Sequence, residues 1–470
     1  MSLTKLLHCG VGQPLFLPAH QRGKALPQAM RRLLHTSPGW WDLPELRQIG
    51  SPLEHNGAVA ESQIRAADAI GADRCWFGVN GATGLLQTAL LAMTTPGDAV
   101  LMPRNCHKSL IQTCVLGDLT PVLFDLPYKH DRGHADALTA SWLQTVLKSI
   151  TEATPTITAA VLVHPTYQGY ASQPDELINL LHQQGWAVLV DEAHGSHFAT
   201  DVDPNLPKSS LRSGADLVVH SLHKSATGLT QTAVLWHQGN RIDPAWIERS
   251  LGWLQTTSPS ALLLASCECA LQEWFSQTGR NQLRRRLVQA RALQNQLRDD
   301  GLPILSTDDP LKLVLHTGTI GVTGLNADSW MLQHGVAAEL PEPATLTFCL
   351  GYGTRRGLRR RFKKQWDAMK AKLGQEQPLP LIPSPPIPKL SWPSEKLSNA
   401  WRCRSELVRF DHAEGRIAAE LVCPYPPGIP LVVPGEKLDL KRIQWMQYQK
   451  QLWGEQIQSQ FKVMPIEVTN

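Results

Sequence analysis

The chain has little that would tie it to a membrane, a nucleic acid or an oxidising compartment. It contains no uninterrupted apolar run of the ~18 residues that a membrane-spanning helix needs. Charge of one sign is missing too: 45 Lys and Arg stand against 41 Asp and Glu, a formal charge of +4. Such a balance removes any global electrostatic argument for nucleic acid or membrane partners. The nine cysteines form no C-x-x-C, and the closest two, Cys267 and Cys269, sit inside an apolar helical pattern. They read as reduced intracellular thiols. Met1 to Leu17 lacks the long apolar core and small-residue cleavage site of a secretory signal, so the expected location is the cytoplasm. No internal repeat is visible, and 470 residues are too many for one ordinary core. Length alone predicts roughly two to four domains.

What is present is a rhythm of short apolar runs that end in polar clusters. Val188 to Val190 leads into Asp191-Glu192-Ala193-His194-Gly195-Ser196-His197, and Leu217 to Val219 leads into His220-Ser221-Leu222-His223-Lys224. Short β-branched runs of this kind predict parallel strands buried on both faces. Cys75 to Val79, Pro96 to Pro103, Pro121 to Phe124 and Ala159 to Val163 predict further strands, with helical patterns at Ala58 to Gly71, Leu85 to Met93 and Pro174 to Gln184. Strands alternating with helices make βαβ units and a mainly parallel sheet. Ligands bind beyond the carboxyl ends of such strands, which places Asp191 and Lys224 at a common crevice. Asn80 to Gly84, between a strand and a helix, is a Gly-rich turn whose free N–H groups suit an anion, phosphate being the natural choice.

Several competing readings meet specific objections. Asp191-Glu192-Ala193-His194 also spells a helicase Walker B element, but the turn at Gly81 to Gly84 has no lysine to reach a nucleotide's phosphates. Asp191, His194 and His197 could hold a metal, yet they lie at a strand end without the helical H-E-x-x-H geometry, and Lys224 would be an odd neighbour for a cation. The basic stretch Arg355 to Lys364 could meet a nucleic acid. Its Leu358, Phe362, Trp366 and Met369 recur at helical spacing, however, which favours a solvated helix face. Gly351-Tyr352-Gly353 lacks the spacing of a dinucleotide fingerprint and reads as a turn.

One reading uses all the clusters: a pyridoxal 5'-phosphate (PLP) site. The phosphate needs a helix N-terminus, met by Thr83 and Gly84; the ring nitrogen needs a carboxylate, met by Asp191; the aldehyde needs an amine, met by Lys224. The expected organisation is an N-terminal arm over 1–50, a large PLP-binding domain over 51–260 and a smaller α/β domain over 261–375. In that last unit a helical stretch from Ala261 to Arg298 is interrupted near Gly279, and Thr354 caps a helix running to Leu373. A semi-rigid Pro-rich linker over 376–393 then leads to a C-terminal domain over 394–470.

These residues resemble the Orn/Lys/Arg decarboxylases of the aspartate aminotransferase-like PLP fold type I, in the short form without an N-terminal wing domain. The resemblance spans nearly the whole chain. It is carried by Pro18-Ala19-His20-Gln21-Arg22-Gly23, Val79 to Gly84, Pro103-Arg104-Asn105-Cys106-His107-Lys108-Ser109, Asp191 to Phe198, Ser221 to Lys224 with Leu229-Thr230-Gln231, Leu254 to Ser260, and Tyr425 to Pro430 through Pro434-Gly435-Glu436. It implies that Lys224 carries the cofactor's aldehyde carbon, Asp191 pairs with the ring nitrogen, His107 stacks on the ring, and Ser221 with His223 helps hold the phosphate or shape the site around it. It puts His194 beside the cofactor and Glu436 near the substrate entrance, as a carboxylate for a distal cationic group. The implied activity is decarboxylation of arginine, lysine or ornithine in polyamine or diamine synthesis, by a homo-oligomer whose sites are completed across a dimer. Lys224 or His194 would return the proton to Cα. Other PLP reactions, such as transamination or Cα–Cβ cleavage, and a silent PLP-binding regulatory subunit stay open. The chain departs from the family at Ala19, where glycine is usual, and at Ala82 and Gly84, where hydroxyls are usual, which leaves Thr83 and backbone amides as the phosphate donors of that turn.

Overall fold

Apolar strands with alternating faces divide the large unit into two cores, one on each side of a single sheet. The protein is described here from a computed structural model covering residues 13–353, 357–423, 430–454 and 457–465. The large sheet is built from β1 (Arg74–Gly78), β2 (Ala99–Pro103), β3 (Thr120–Phe124), β4 (Ile157–Val163), β5 (Ala187–Asp191), β6 (Leu217–Ser221) and β7 (Ala233–His237). A small sheet follows with β8 (Lys312–Leu315), β9 (Leu340–Pro341) and β10 (Leu346–Cys349), and β11 (Leu390–Ser391) returns to the large one. The order across the large sheet is β11-β3-β2-β4-β5-β6-β7-β1. Neighbours from β3 to β6 run parallel, while β7 is antiparallel to both β6 and β1, and β11 to β3.

Because side chains alternate along a strand, Val188, Val190 and Val218 point into one core, with helices Ala58–Ile70, Pro174–His182 and Ala261–Phe275. Leu189, Leu217 and Val219 point into the other, with helices Gly81–Ala92 and Lys108–Gly117. An apolar residue at every position is therefore what a strand covered on both faces requires. The chain moves from β2 outward to β3, then back past β2 to β4, so the direction of sheet growth reverses there. Beyond the carboxyl ends of the strands at such a reversal, the connecting loops part and leave a crevice.

Local details differ from the sequence reading. The Gly-rich turn is already helical, since the helix begins at Gly81 rather than Leu85. Gly81 has φ +69°, a value that disfavours any residue with a Cβ, and its amide donates to the Gln231 carbonyl at 2.8 Å. The helical run from Ala261 breaks at Ser276, three residues before Gly279, where the Ser276 hydroxyl accepts from the Gly279 amide at 3.0 Å. Gly279 itself lies so close to the Glu273 carbonyl that a Cβ would come within 1.8 Å of that oxygen. The basic helix is Leu358–Leu373, preceded by Gly357, and buries Leu358, Phe362, Trp366 and Met369. The proposed cap Thr354 lies outside the described residues, as do Pro424 to Ile429 of the stiff C-terminal loop.

The Pro-rich segment does not hang free as a spacer. Leu390 and Ser391 add to the edge of the large sheet opposite Phe124 and Leu123, and the buried Ile382 donates its amide to His130 O at 2.8 Å. Proline's missing N–H is tolerated there because an edge strand needs only one bonded side. The N-terminal segment is likewise docked, with Gln13–Pro14 paired parallel to Val336–Ala337 and the Ala19 amide donating to the His223 carbonyl at 2.9 Å. A last core, around Phe410, Val432, Ile443, Met446 and Phe461, belongs to the C-terminal unit. No helix among the described residues is long and apolar enough to cross a membrane.

Candidate active site

Parallel β5 and β6 end side by side, with Asp191 opposite Val219 in register, so the polar clusters that follow them share one edge of the sheet. Asp191 is buried at 8% exposure, and its Oδ1 accepts from the Ala193 amide at 3.1 Å. Its second oxygen makes no hydrogen bond among the described residues. After β6 the four-residue helix Leu222–Ser225 turns Lys224 back towards the β5 loop, where its Nζ lies 3.1 Å from His194 Nε2. The turn is held from below: the Ser225 hydroxyl donates to the Ala193 carbonyl at 3.2 Å, and the Tyr352 hydroxyl to the Ser225 carbonyl at 2.7 Å.

His107 precedes helix Lys108–Gly117 as its N-cap, and its Nδ1 accepts from the Ser109 amide at 3.3 Å. That leaves its proton on Nε2. Burial lowers its pKa, with Lys224 and Lys108 adding to the effect against the pull of Asp191. His223 Nδ1 lies 3.1 Å from the Ser221 hydroxyl, and burial, followed by the Lys224 charge, lowers its pKa to about 4. His194 is driven well below the ordinary histidine value by burial and then by the cationic groups around it. All three imidazoles are therefore neutral at pH 7. Burial also lowers the pKa of Lys224, and Lys312 reinforces this, against Asp191 and Glu339.

Helix Gly81–Ala92 follows β1, whose last residue Gly78 lies across β7 from Ser221 at the same edge of the sheet. The Gly81 amide is spent on Gln231 and the Gly84 amide reaches Asn80 O at 3.4 Å, while the Ala82 and Thr83 amides have no acceptor among the described residues. Two orphaned N–H groups at a helix N-terminus, an open carboxylate oxygen and an amine fit the phosphate, ring nitrogen and aldehyde of PLP. His197 does not join Asp191 and His194 as a metal set would require; its Nε2 meets the buried Asp309 at 3.1 Å.

Glu436 is not brought to this cluster. Its carboxylate is enclosed by Arg104 and Arg442: Oε1 accepts from Arg104 Nη2, and Oε2 from Arg104 Nη1 at 3.2 Å, Arg442 Nη1 at 3.0 Å and the Val433 amide at 3.0 Å. Burial would raise its pKa, but the two guanidinium groups and the amide outweigh that and hold it below the usual carboxylate value. The carboxylate that the resemblance offers to a substrate's distal cation thus accepts from four buried donors of its own chain.

Sequence reasoning missed four residues that crowd the lysine. Tyr167 packs its ring, tilted by 49°, 4.3 Å from that of His194 and donates its hydroxyl to Glu339; Glu339 also accepts from the Leu17 amide at 2.8 Å. Lys312 from β8 reaches the far edge of His194, and Cys349 of β10 accepts from the Lys312 Nζ at 3.3 Å. A lysine buried in the apolar strand Lys312-Leu-Val-Leu315 was the one signal available.

Comparison with known proteins identifies the family. The family model for the Orn/Lys/Arg decarboxylase major domain matches residues 15–307, and that for the C-terminal domain of the same family matches residues 386–461. The chain belongs to the Orn/Lys/Arg decarboxylase family. An arginine decarboxylase from Halalkalibacterium halodurans is 30% identical over 89% of this chain and 87% of its own length. One from Bacillus anthracis is 26% identical over 92% and 88%. Among solved structures, lysine decarboxylase A from Pseudomonas aeruginosa superposes with a TM-score of 0.73 at 17% identity, covering 90% of this chain and 74% of that one. The fold is PLP fold type I with a C-terminal decarboxylase domain, and the protein is a decarboxylase.

Proposed function

We propose that this decarboxylase acts on a basic amino acid, arginine before lysine or ornithine, with PLP as its cofactor. The observation that carries the reading is the pairing of a buried, half-open carboxylate, Asp191, with an amine, Lys224, beside a neutral imidazole. The names of the 26–30% identical relatives support arginine. In this reading Lys224 takes the cofactor's aldehyde, and Asp191 keeps the ring nitrogen protonated. His107 covers the ring, and Thr83, Gly84, Ser221 and His223 hold the phosphate. When bound, PLP accepts the electron pair left at Cα as carbon dioxide departs. His194 and Lys224 then stand where a proton can be held for Cα, the imidazole neutral at pH 7 and the lysine with its pKa lowered by burial. Glu339, close enough to act electrostatically on Lys224 and Lys312, is the carboxylate we assign to the distal cation in place of Glu436.

A cytoplasmic homo-oligomer that supplies polyamine synthesis, with the domain limits read from the sequence, completes the proposal. The exposed Trp246 and Trp253 on helix Pro244–Leu254 support a covering partner. The test is to supply the purified protein with PLP and each of arginine, lysine and ornithine. Equal yields of carbon dioxide and the matching amine are expected, fastest from arginine. A keto acid in place of the amine refutes the substrate reading.

A further inference from the structure

Lys312 opens β8 as a buried lysine, 4% exposed, that none of the roles above uses. Its Nζ lies 3.2 Å from His194 Nδ1 and 3.3 Å from Cys349 Sγ. On the opposite edge of the same ring, Nε2 lies 3.1 Å from Lys224 Nζ. One imidazole therefore bridges two lysines. A neutral imidazole has one N–H and one lone pair, so it cannot accept from two ammonium groups. One lysine must meet the N–H, and that lysine must be an uncharged amine with a lone pair to offer.

The surroundings decide which. Lys312 faces Asp309 from the loop before β8, Glu339 beside β9 and the Cys349 thiol of β10, with the Tyr167 ring 5.2 Å from its Nζ. Asp309 is an ionised partner, because His197 and the Leu311 amide, the latter at 2.9 Å, bind its Oδ1 and outweigh its burial. Cys349 is pushed up to about 12, so at neutral pH it is a thiol acceptor rather than a charge. Lys224 faces Asp191 and Glu339, but also Lys312 and the neutral rings of His107, His194 and His223. Burial pulls both lysines down; Cys349, whose sulfur accepts from Nζ, and then Asp309 and Glu339 reverse this for Lys312, while Lys224 stays lowered.

We propose that Lys312 is a positioning residue: by donating to His194 Nδ1 it fixes the tautomer with the proton on Nε2, so that Lys224 meets a donor and stays an uncharged, nucleophilic amine. An unperturbed lysine, with a pKa of about 10.4, is only about one part in a thousand free amine near pH 7.4. The bridge thus sets how much reactive amine the site holds. It also gives His194 an N–H aimed at the lysine.

The inference rests on Lys224 being the cofactor lysine, and its test does not use turnover. The full-length protein, freed of cofactor, is labelled with trace acetic anhydride from pH 6 to 10, and acetylation of Lys224 is followed by mass spectrometry. A wild-type midpoint below that of surface lysines is expected. Lys312→Met should raise the midpoint by about one unit or more, a roughly tenfold fall in labelling at pH 7.4; Lys312→Arg, which keeps the charge, should restore it. An unchanged midpoint in Lys312→Met overturns the proposal. If that variant does not fold, a wild-type midpoint equal to that of surface lysines overturns it and a lowered one retained by Lys312→Arg supports it. A shifted midpoint in a protein that decarboxylates nothing would leave the bridge standing and remove the proposed function; the reverse pair of results would do the opposite.

Discussion

Replacing Glu436 by glutamine separates a structural carboxylate from a substrate-binding one. Side-chain exposure is 1% for Arg104, 3% for Glu436 and 8% for Arg442, so water cannot replace the lost charge. Removing one partner of a buried ion pair costs about 3–5 kcal/mol, because the remaining charge stays buried and unpaired. Arg104 loses its charged partner here, while Arg442 keeps Asp439 through its Nε. The pH dependence has a definite sign. The folded pKa lies below the unfolded one, so the stabilisation is complete above the unfolded value of about 4.3 and is lost as pH falls through the folded value. Urea denaturation at pH 7 should therefore show Glu436→Gln destabilised by about 3–5 kcal/mol. The difference from wild type should shrink below about pH 4. In the folded variant KM for the amino acid should stay at the wild-type value. A KM raised about tenfold, equal to about 1.4 kcal/mol of binding, with an unchanged urea midpoint would refute the reasoning.

Other outcomes follow from the same geometry. Lys224→Ala should abolish the visible absorbance of bound PLP and all turnover, while Asp191→Asn should keep the absorbance and lower kcat by about a hundredfold or more, read in a carbon dioxide assay. Ala82→Ser restores a hydroxyl beside two free amides and should tighten PLP binding, by about 1.5 kcal/mol for a bond to a charged group. Gly84→Ser should gain less, because its Cβ would sit 3.0 Å from that of Asn80. His223 is held neutral with a pKa of about 4. Its folded value is below the unfolded one, so it contributes stability above about pH 6.5 that is lost as pH falls towards its folded value. His223→Gln should make the acid limb of a stability-versus-pH curve shallower by up to one proton, and an unaltered limb would contradict the assignment.

The fold, and the meeting of Asp191 and Lys224 at one edge of the sheet, were legible because they rest on local patterns. Val188 to Val190 and Leu217 to Val219 had to be covered on both faces, and a parallel strand that ends in Asp191 or leads to Lys224 carries its polar residue to the same edge as its neighbour. What could not be read was anything that depended on a partner far along the chain. Ser391 pairs with Leu123 through a two-residue strand too short to leave a periodic signal. Glu436 looks like an available carboxylate until Arg104, 332 residues away, closes on it.

The sequence by itself determined the parallel sheet, the order of Gly-rich turn, acid and lysine, and the family, since each is written in contiguous residues whose spacing sets their geometry. The tertiary structure decided which charges surround that lysine. Only folding brings Lys312 to His194 across 118 positions of chain, and a charge acts through distance in space, which no local pattern records.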